Sequence, residues 1–140
     1  MGGGFNKAEE LARRIGAINP AEGHYAEAQI QDKRKQYSDA EEHLRKAQEL
    51  APMQVGRVLD VARYLSKVGK RVESETMFDR AAKMAPHDPK VLYRRAETYI
   101  SEHRNPEQSR KLLEQYLQSS LTPDLPSKEQ AEELLKKISN

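Results

Sequence analysis

Pro52 and Pro86 stand 34 residues apart, and the same shift carries Ala40, Leu44 and Ala47 onto Ser74, Phe78 and Ala81. A chain with that period is built from a small supersecondary unit, which cannot bury its apolar stripe alone and is stabilised by stacking on the next. All seven prolines, at 20, 52, 86, 89, 106, 123 and 126, fall where helical periodicity breaks, and no β-branched alternation occurs in the sequence. The expectation is an all-α chain. Each unit reads as two amphipathic helices, with turns expected at Tyr37-Ser38-Asp39 and Val68-Gly69-Lys70 and a proline after the second helix.

The pattern Ala40-x3-Leu44-x2-Ala47-x4-Pro52, repeated as Ser74-x3-Phe78-x2-Ala81-x4-Pro86, resembles the tetratricopeptide repeat. Val58, Ala62 and Leu65 fill the first-helix slots of one unit, and Leu92, Ala96 and Tyr99 fill them 34 residues later. Beyond Tyr99 the match slips by one residue, to Ser109, Leu113 and Tyr116, with Tyr116 where the family prefers alanine. The resemblance implies an α-solenoid of about three units: repeat 1 over 21–54, repeat 2 over 55–88, and repeat 3 over 89–123. In the first helix of repeat 1, expected over Ala21 to Lys35, only Tyr25, Ala28 and Ile30 suit a core.

Extra helices flank the array. Met1 to Gly4 look like an added leader, so 1–5 is expected to be disordered. Over 6–20, Ala8, Ala12 and Ile15 have second-helix spacing without a first-helix partner before them. This segment reads either as part of a longer array or as a purpose-built N-terminal cap, and Leu11 and Ile15 make it a candidate for self-association. Over 124–140, Ala131, Leu134, Leu135 and Ile138 form one stripe opposite Glu132, Glu133, Lys136 and Lys137, the pattern of a capping helix. Ser127 and Gln130 have capping-box spacing.

The residues offer little chemistry for catalysis. The absence of cysteine removes disulfides, thiolate metal sites and cysteine nucleophiles. Phosphate loops, H-E-x-x-H and G-x-S-x-G motifs are missing from the sequence, and its glycines read as leader or turn residues. His24, His43, His87 and His103 are scattered, with no pair at one-turn spacing, so neither metal nor cofactor is expected. Adjacent carboxylates such as Glu41-Glu42 point about 100° apart on a helix and read as solvated charge. A formal charge of +2, from 24 basic and 22 acidic residues, gives no attraction for nucleic acid, and no apolar run is long enough for membrane insertion. A cytoplasmic setting is favoured, with the excised soluble part of an exported protein as the alternative.

The reading that remains is a scaffold that binds a protein or peptide. If Val58, Val61, Ala62 and Leu65 pack inward, the rotated stripe Leu59, Arg63, Ser66 and Lys67 should line the inner, concave face. The same rotation selects Lys90, Tyr93, Arg94, Glu97 and Ile100 in repeat 3, and Tyr25, Gln29 and Asp32 in repeat 1. Tyr and Arg are usual anchors of interfaces. The resemblance also implies a possible carboxylate clamp, for which Lys90 and Arg94 match the third-unit places. Tyr25 and Gln29 replace the first-unit Lys and Asn, and Asp60 replaces the second-unit Asn. Arg95 should snorkel toward solvent or an acid such as Glu102, and Tyr64, Tyr99 and Tyr116 should be core residues with bonded hydroxyls.

Overall fold

A computed structural model describes residues 2–138 and contains α-helices and no strand among them. The helices are α1 (Gly2–Ile18), α2 (Pro20–Lys33), α3 (Tyr37–Leu50), α4 (Val55–Lys67), α5 (Arg71–Met84), α6 (Pro89–Ser101), α7 (Pro106–Leu117) and α8 (Lys128–Lys137). Consecutive helices pack in pairs, as in a helical-repeat solenoid. The chain divides into two compact units between Met77 and Phe78, inside α5.

The 34-residue period is written into the backbone. Lys35, Gly69 and His103 all have positive φ, at 61°, 89° and 53°, and successive ones stand 34 residues apart. At all three turns the same pair of hydrogen bonds closes the preceding helix. The N–H groups of Gln36, Lys70 and Arg104 donate to the carbonyls of Gln31, Leu65 and Tyr99. Those of Lys35, Gly69 and His103 donate to Asp32, Ser66 and Ile100. This is a Schellman ending, which satisfies carbonyls that a helix C-terminus leaves without partners. Glycine takes the left-handed position without steric cost, whereas Lys35 and His103 adopt it against their Cβ atoms.

The first turn therefore falls at Arg34–Gln36, and Tyr37, Ser38 and Asp39 already belong to α3. Their polar, turn-like character suits a helix start instead, where Asp39 meets the positive end of the helix dipole. The third turn is longer by one residue. It runs from Glu102 to Asn105, with Asn105 also left-handed at φ 52°, and it accounts for the slip to Ser109, Leu113 and Tyr116.

In the unit ending at Met77, Ala40, Leu44, Ala47, Val58, Val61, Ala62 and Leu65 are buried. Ser74 replaces alanine there at no cost to hydrogen bonding, because its hydroxyl donates to the Ala62 carbonyl at 2.7 Å. In the unit beginning at Phe78, Ala81, Ala96 and Tyr99 are buried, and the Phe78 and Tyr99 rings meet edge-on with centroids 6.2 Å apart. Tyr93, Ala96, Leu113 and Tyr116 join Ala131, Leu134 and Ile138 of the α8 segment in one core. The Tyr116 hydroxyl donates to the Pro126 carbonyl at 2.6 Å, and the Ser127–Gln130 capping box forms in both directions. The hydroxyls of Tyr64 and Tyr99 are also bonded, to Asp32 and Arg95. Arg95 reaches Asp79 at 2.8 Å while its guanidinium stands over Phe78 and Tyr99.

At the N-terminus the structure departs from expectation. Helix α1 starts at Gly2, so residues 2–5, expected to be disordered, are helical. Gly16, Gly23 and Gly56 lie within helices and are neither leader nor turn residues. Helices α1 and α2 touch backbone to backbone: a Cβ on Gly23 would stand 2.4 Å from the Gly16 Cα and 2.9 Å from its nitrogen. A Cβ on Gly16 would meet the Gly23 Cα at an ordinary 3.5 Å.

Candidate partner-binding face

The proline-started helix α2 and the first helix of the next repeat, α4, place two polar rows side by side. On α2 the row is Glu22, Tyr25, Gln29 and Asp32; on α4 it is Arg57, Asp60, Arg63, Tyr64 and Lys67. Three- and four-residue steps keep each row on one side of its helix. The N-cap Asn19 accepts from the Glu22 N–H and Pro20 fills the first helical turn, which sets where the α2 row begins.

The two rows are laced together. Arg57 pairs with Glu22 and with Asp60, the latter at 3.1 Å, and its guanidinium covers the Tyr25 ring at 4.5 Å from the centroid. At the other end Asp32 accepts from the Tyr64 hydroxyl at 3.1 Å and from Lys67 Nζ at 2.8 Å. Burial, with the Asp32 bond second, raises the Tyr64 hydroxyl pKa above the ordinary phenol range, so it stays a donor to Asp32. Burial also raises the Asp60 carboxyl pKa, against the opposing pull of Arg57.

The expected inner-face residues separate into two groups. In the first unit Gln29, Arg63 and Lys67 are exposed, and Tyr25 and Asp32 are half-buried. Leu59 and Ser66, expected on that surface, are buried instead. On an α-helix the 100° step places Leu59 beside Val58 and Ala62, and the apolar arc is wider than the four positions assigned to it. In the second unit Lys90, Arg94 and Glu97 are half-buried, with Arg94 and Glu97 paired at 2.9 Å. Tyr93 is buried and its ring packs on Tyr116 at 5.1 Å between centroids, while Ile100 packs against the core that includes α8 residues. The closing helix takes that side of α6, so Tyr93 and Ile100 are core contacts.

Two other features escaped the sequence. The scattered histidines are not all apart: His24 of α2 and His43 of α3 bring their Nδ1 atoms to 2.9 Å. A groove of about 390 Å³ also opens between α1 and α2, lined mainly by Phe5, Ala8, Leu11, Ile15 and Ile30, with Lys33 among its polar residues. Leu11, Ile15 and Ile18 are 56%, 41% and 89% exposed. Hairpin register would have flagged the histidine pair, since the turn between α2 and α3 folds those positions together. Among the described residues no cluster of three or more potential metal-ligating side chains occurs, and no helix is long and apolar enough to cross a membrane. Searches of the sequence against protein-family models and curated proteins give no match.

Proposed function

We propose that the chain is a protein- or peptide-binding module of tetratricopeptide type, and that the α2–α4 face holds the partner. The family reading is supported by the three Schellman turns at 34-residue spacing and by the small and apolar residues buried in corresponding slots. The observation that carries the functional reading is the lacing of α2 to α4. Tyr25 under Arg57, and Tyr64 tied to Asp32, are held in place before any partner arrives, while Gln29, Arg63 and Lys67 stay at the surface. Pre-positioned aromatic and guanidinium groups lose little side-chain entropy on binding, which favours a short extended peptide or one face of a helix.

The test is capture of a partner from lysate of the source cells by the parent protein and by the Arg63→Glu/Lys67→Glu variant. A photoreactive residue at Arg63 of α4, in the otherwise unaltered protein, reports where the partner sits. Loss of capture with an unchanged helical circular dichroism spectrum, together with adducts from position 63, supports the α2–α4 face. Retained capture by the reversed variant removes it.

A second reading is favoured by the exposed Leu11 and Ile15 beside the α1–α2 groove: a self-associating structural module in which α1 meets another chain. Light scattering across a concentration series, with Leu11→Glu/Ile15→Glu for comparison, separates the two. A parent protein that is monomeric throughout ends this reading.

A further inference from the structure

The wall that α2 gives to the α1–α2 groove has a counterpart in the same compact unit, and there a helix lies against it. That wall includes Ala26, Ile30 and Lys33. A shift of 34 residues carries them onto Asp60, Tyr64 and Lys67 of α4. On α4 the row meets α2: the Tyr64 hydroxyl and Lys67 Nζ both donate to Asp32, at 3.1 and 2.8 Å. Arg57 pairs with Glu22 near the start of both helices and Lys67 with Asp32 near the end of both, so α2 runs in the same direction as α4. The row on α2 keeps the cation, as Lys33, but has Ala26 and Ile30 where α4 has Asp60 and Tyr64.

We propose that the α1–α2 groove docks an acidic amphipathic helix of a partner protein, which lies along α2 as α2 lies along α4. Its apolar stripe meets Leu11, Ile15 and Ile30, and a carboxylate in its last turn meets Lys33, as Asp32 meets Lys67. The groove residues of α1, from Gly4 to Ile15, span about 17 Å, or three turns of helix. A partner helix therefore needs apolar anchors at i, i+4 and i+7. The groove is held open from both ends. Arg34 stands over the Phe5 ring at 4.6 Å and pairs with Glu9 at 2.6 Å, and the Gly16–Gly23 contact fixes the α1–α2 separation at the other end. A preformed groove loses little freedom when a helix enters it.

Charge selects the partner. No carboxylate lines the groove among the described residues. Helical phase puts Lys7 and Arg14 in the row outside Leu11 on α1, and Lys33 is the cation of the α2 wall. Arg14 is answered by Glu10 at 2.8 Å, whereas Lys7 and Lys33 have no ion pair among the described residues. Glu22, one turn before Ala26, is tied to Arg57. The rim is therefore positive, which attracts an acidic helix and repels a basic one. A twofold contact between two copies would set these same cations facing one another, so the groove suits an acidic partner better than a second copy.

The probe is a synthetic, end-blocked helical peptide of about five turns, with leucines at i, i+4, i+7 and i+11 and glutamates on the flanks and in the last turn. Two controls carry lysine for every glutamate, or a central proline that breaks the helix. Calorimetry on the full chain should give one peptide per chain, bound at least about tenfold more tightly than either control and more weakly as salt rises. Leu11→Glu/Ile15→Glu should remove binding and Lys33→Glu should weaken it by about tenfold, with unchanged circular dichroism. Arg63→Glu/Lys67→Glu, on the α2–α4 face, should bind like the parent. Amide shifts in the parent should change at Ile15, Ile30 and Lys33, a readout that needs no substitution. No saturable binding, equal binding of the lysine peptide, or binding unaffected by Leu11→Glu/Ile15→Glu overturns the proposal. So does a parent dimer that Leu11→Glu/Ile15→Glu dissociates, because a second copy then fills the groove.

Discussion

Helices α1 and α8 both carry an apolar stripe, but their surroundings treat it differently. Helix α8 and its C-cap residue place Ala131, Leu134 and Ile138 among Tyr93, Leu113 and Tyr116, and its capping box and last-turn Lys136 and Lys137 suit both ends of the helix dipole. Helix α1 meets α2 through Gly16, Gly23 and the buried Ala12, and leaves Leu11, Ile15 and Ile18 exposed. An aromatic contact buries large area with few residues, whereas a glycine contact brings backbones close and leaves larger side chains flanking it. One end is held by volume and the other by closeness, so the two should fail under different substitutions.

The largest effect belongs to the aromatic end. Tyr116→Ala removes a fully buried ring and the bond to Pro126, and should cost about 3 to 5 kcal/mol in a denaturant melt. A loss below about 1 kcal/mol would break the contrast. Gly23→Ala is next. A methyl 2.4 Å from the Gly16 Cα forces the α1–α2 backbones apart, at about 1 to 3 kcal/mol, while Gly16→Ala fits and should gain about 0.5 to 1 kcal/mol from helix propensity. Equal melting of these two variants would show that the close approach is absent in solution.

Smaller again is Leu11→Glu on exposed α1, which should change stability by no more than about 0.5 kcal/mol. A larger loss would mean that the groove is covered, and light scattering would then show by what. The smallest effect concerns pH. The His24 pKa is lowered by burial, then by His43 and Lys46, so the folded state binds fewer protons than the unfolded chain. Stability is retained above the ordinary histidine pKa of about 6.5 and declines as pH falls below it. A Tm series from about pH 7.5 to 5.5 should fall slightly, and His24→Gln should flatten its histidine-dependent part; an identical series for both would remove His24 as the cause.

The helical class, the 34-residue period, the capping box and the one-residue slip were legible because each depends on local propensity or on the phase of a single helix. Leu44, Ala47, Phe78 and Ala81 are buried where their spacing puts them. The first turn was misplaced because Tyr37, Ser38 and Asp39 are favoured both in turns and at helix starts, and only the hydrogen bonds of Lys35 and Gln36 distinguish the two. Of the residues assigned to the inner face, Gln29, Arg63 and Lys67 are exposed. Tyr93 and Ile100 are core contacts instead, because their surroundings depend on α8, a helix distant in sequence. Gly16 and Gly23 held a signal that was passed over: glycine weakens a helix, and two glycines inside helical segments need a packing reason.

Asn105 has a consequence for how this chain tolerates change in length. The third turn is one residue longer than the others, yet Ser109, Leu113 and Tyr116 remain buried beyond it. The helices carry the packing phase, and the turn absorbs the count. Lengthening a flexible turn costs only about 0.6 kcal/mol for each doubling, whereas one residue inserted within a helix rotates everything beyond it by about 100°. Insertions should therefore be admitted at 34–36, 68–70 and 102–105 and resisted between them. These same three places are natural entry points for grafting new loops onto the chain.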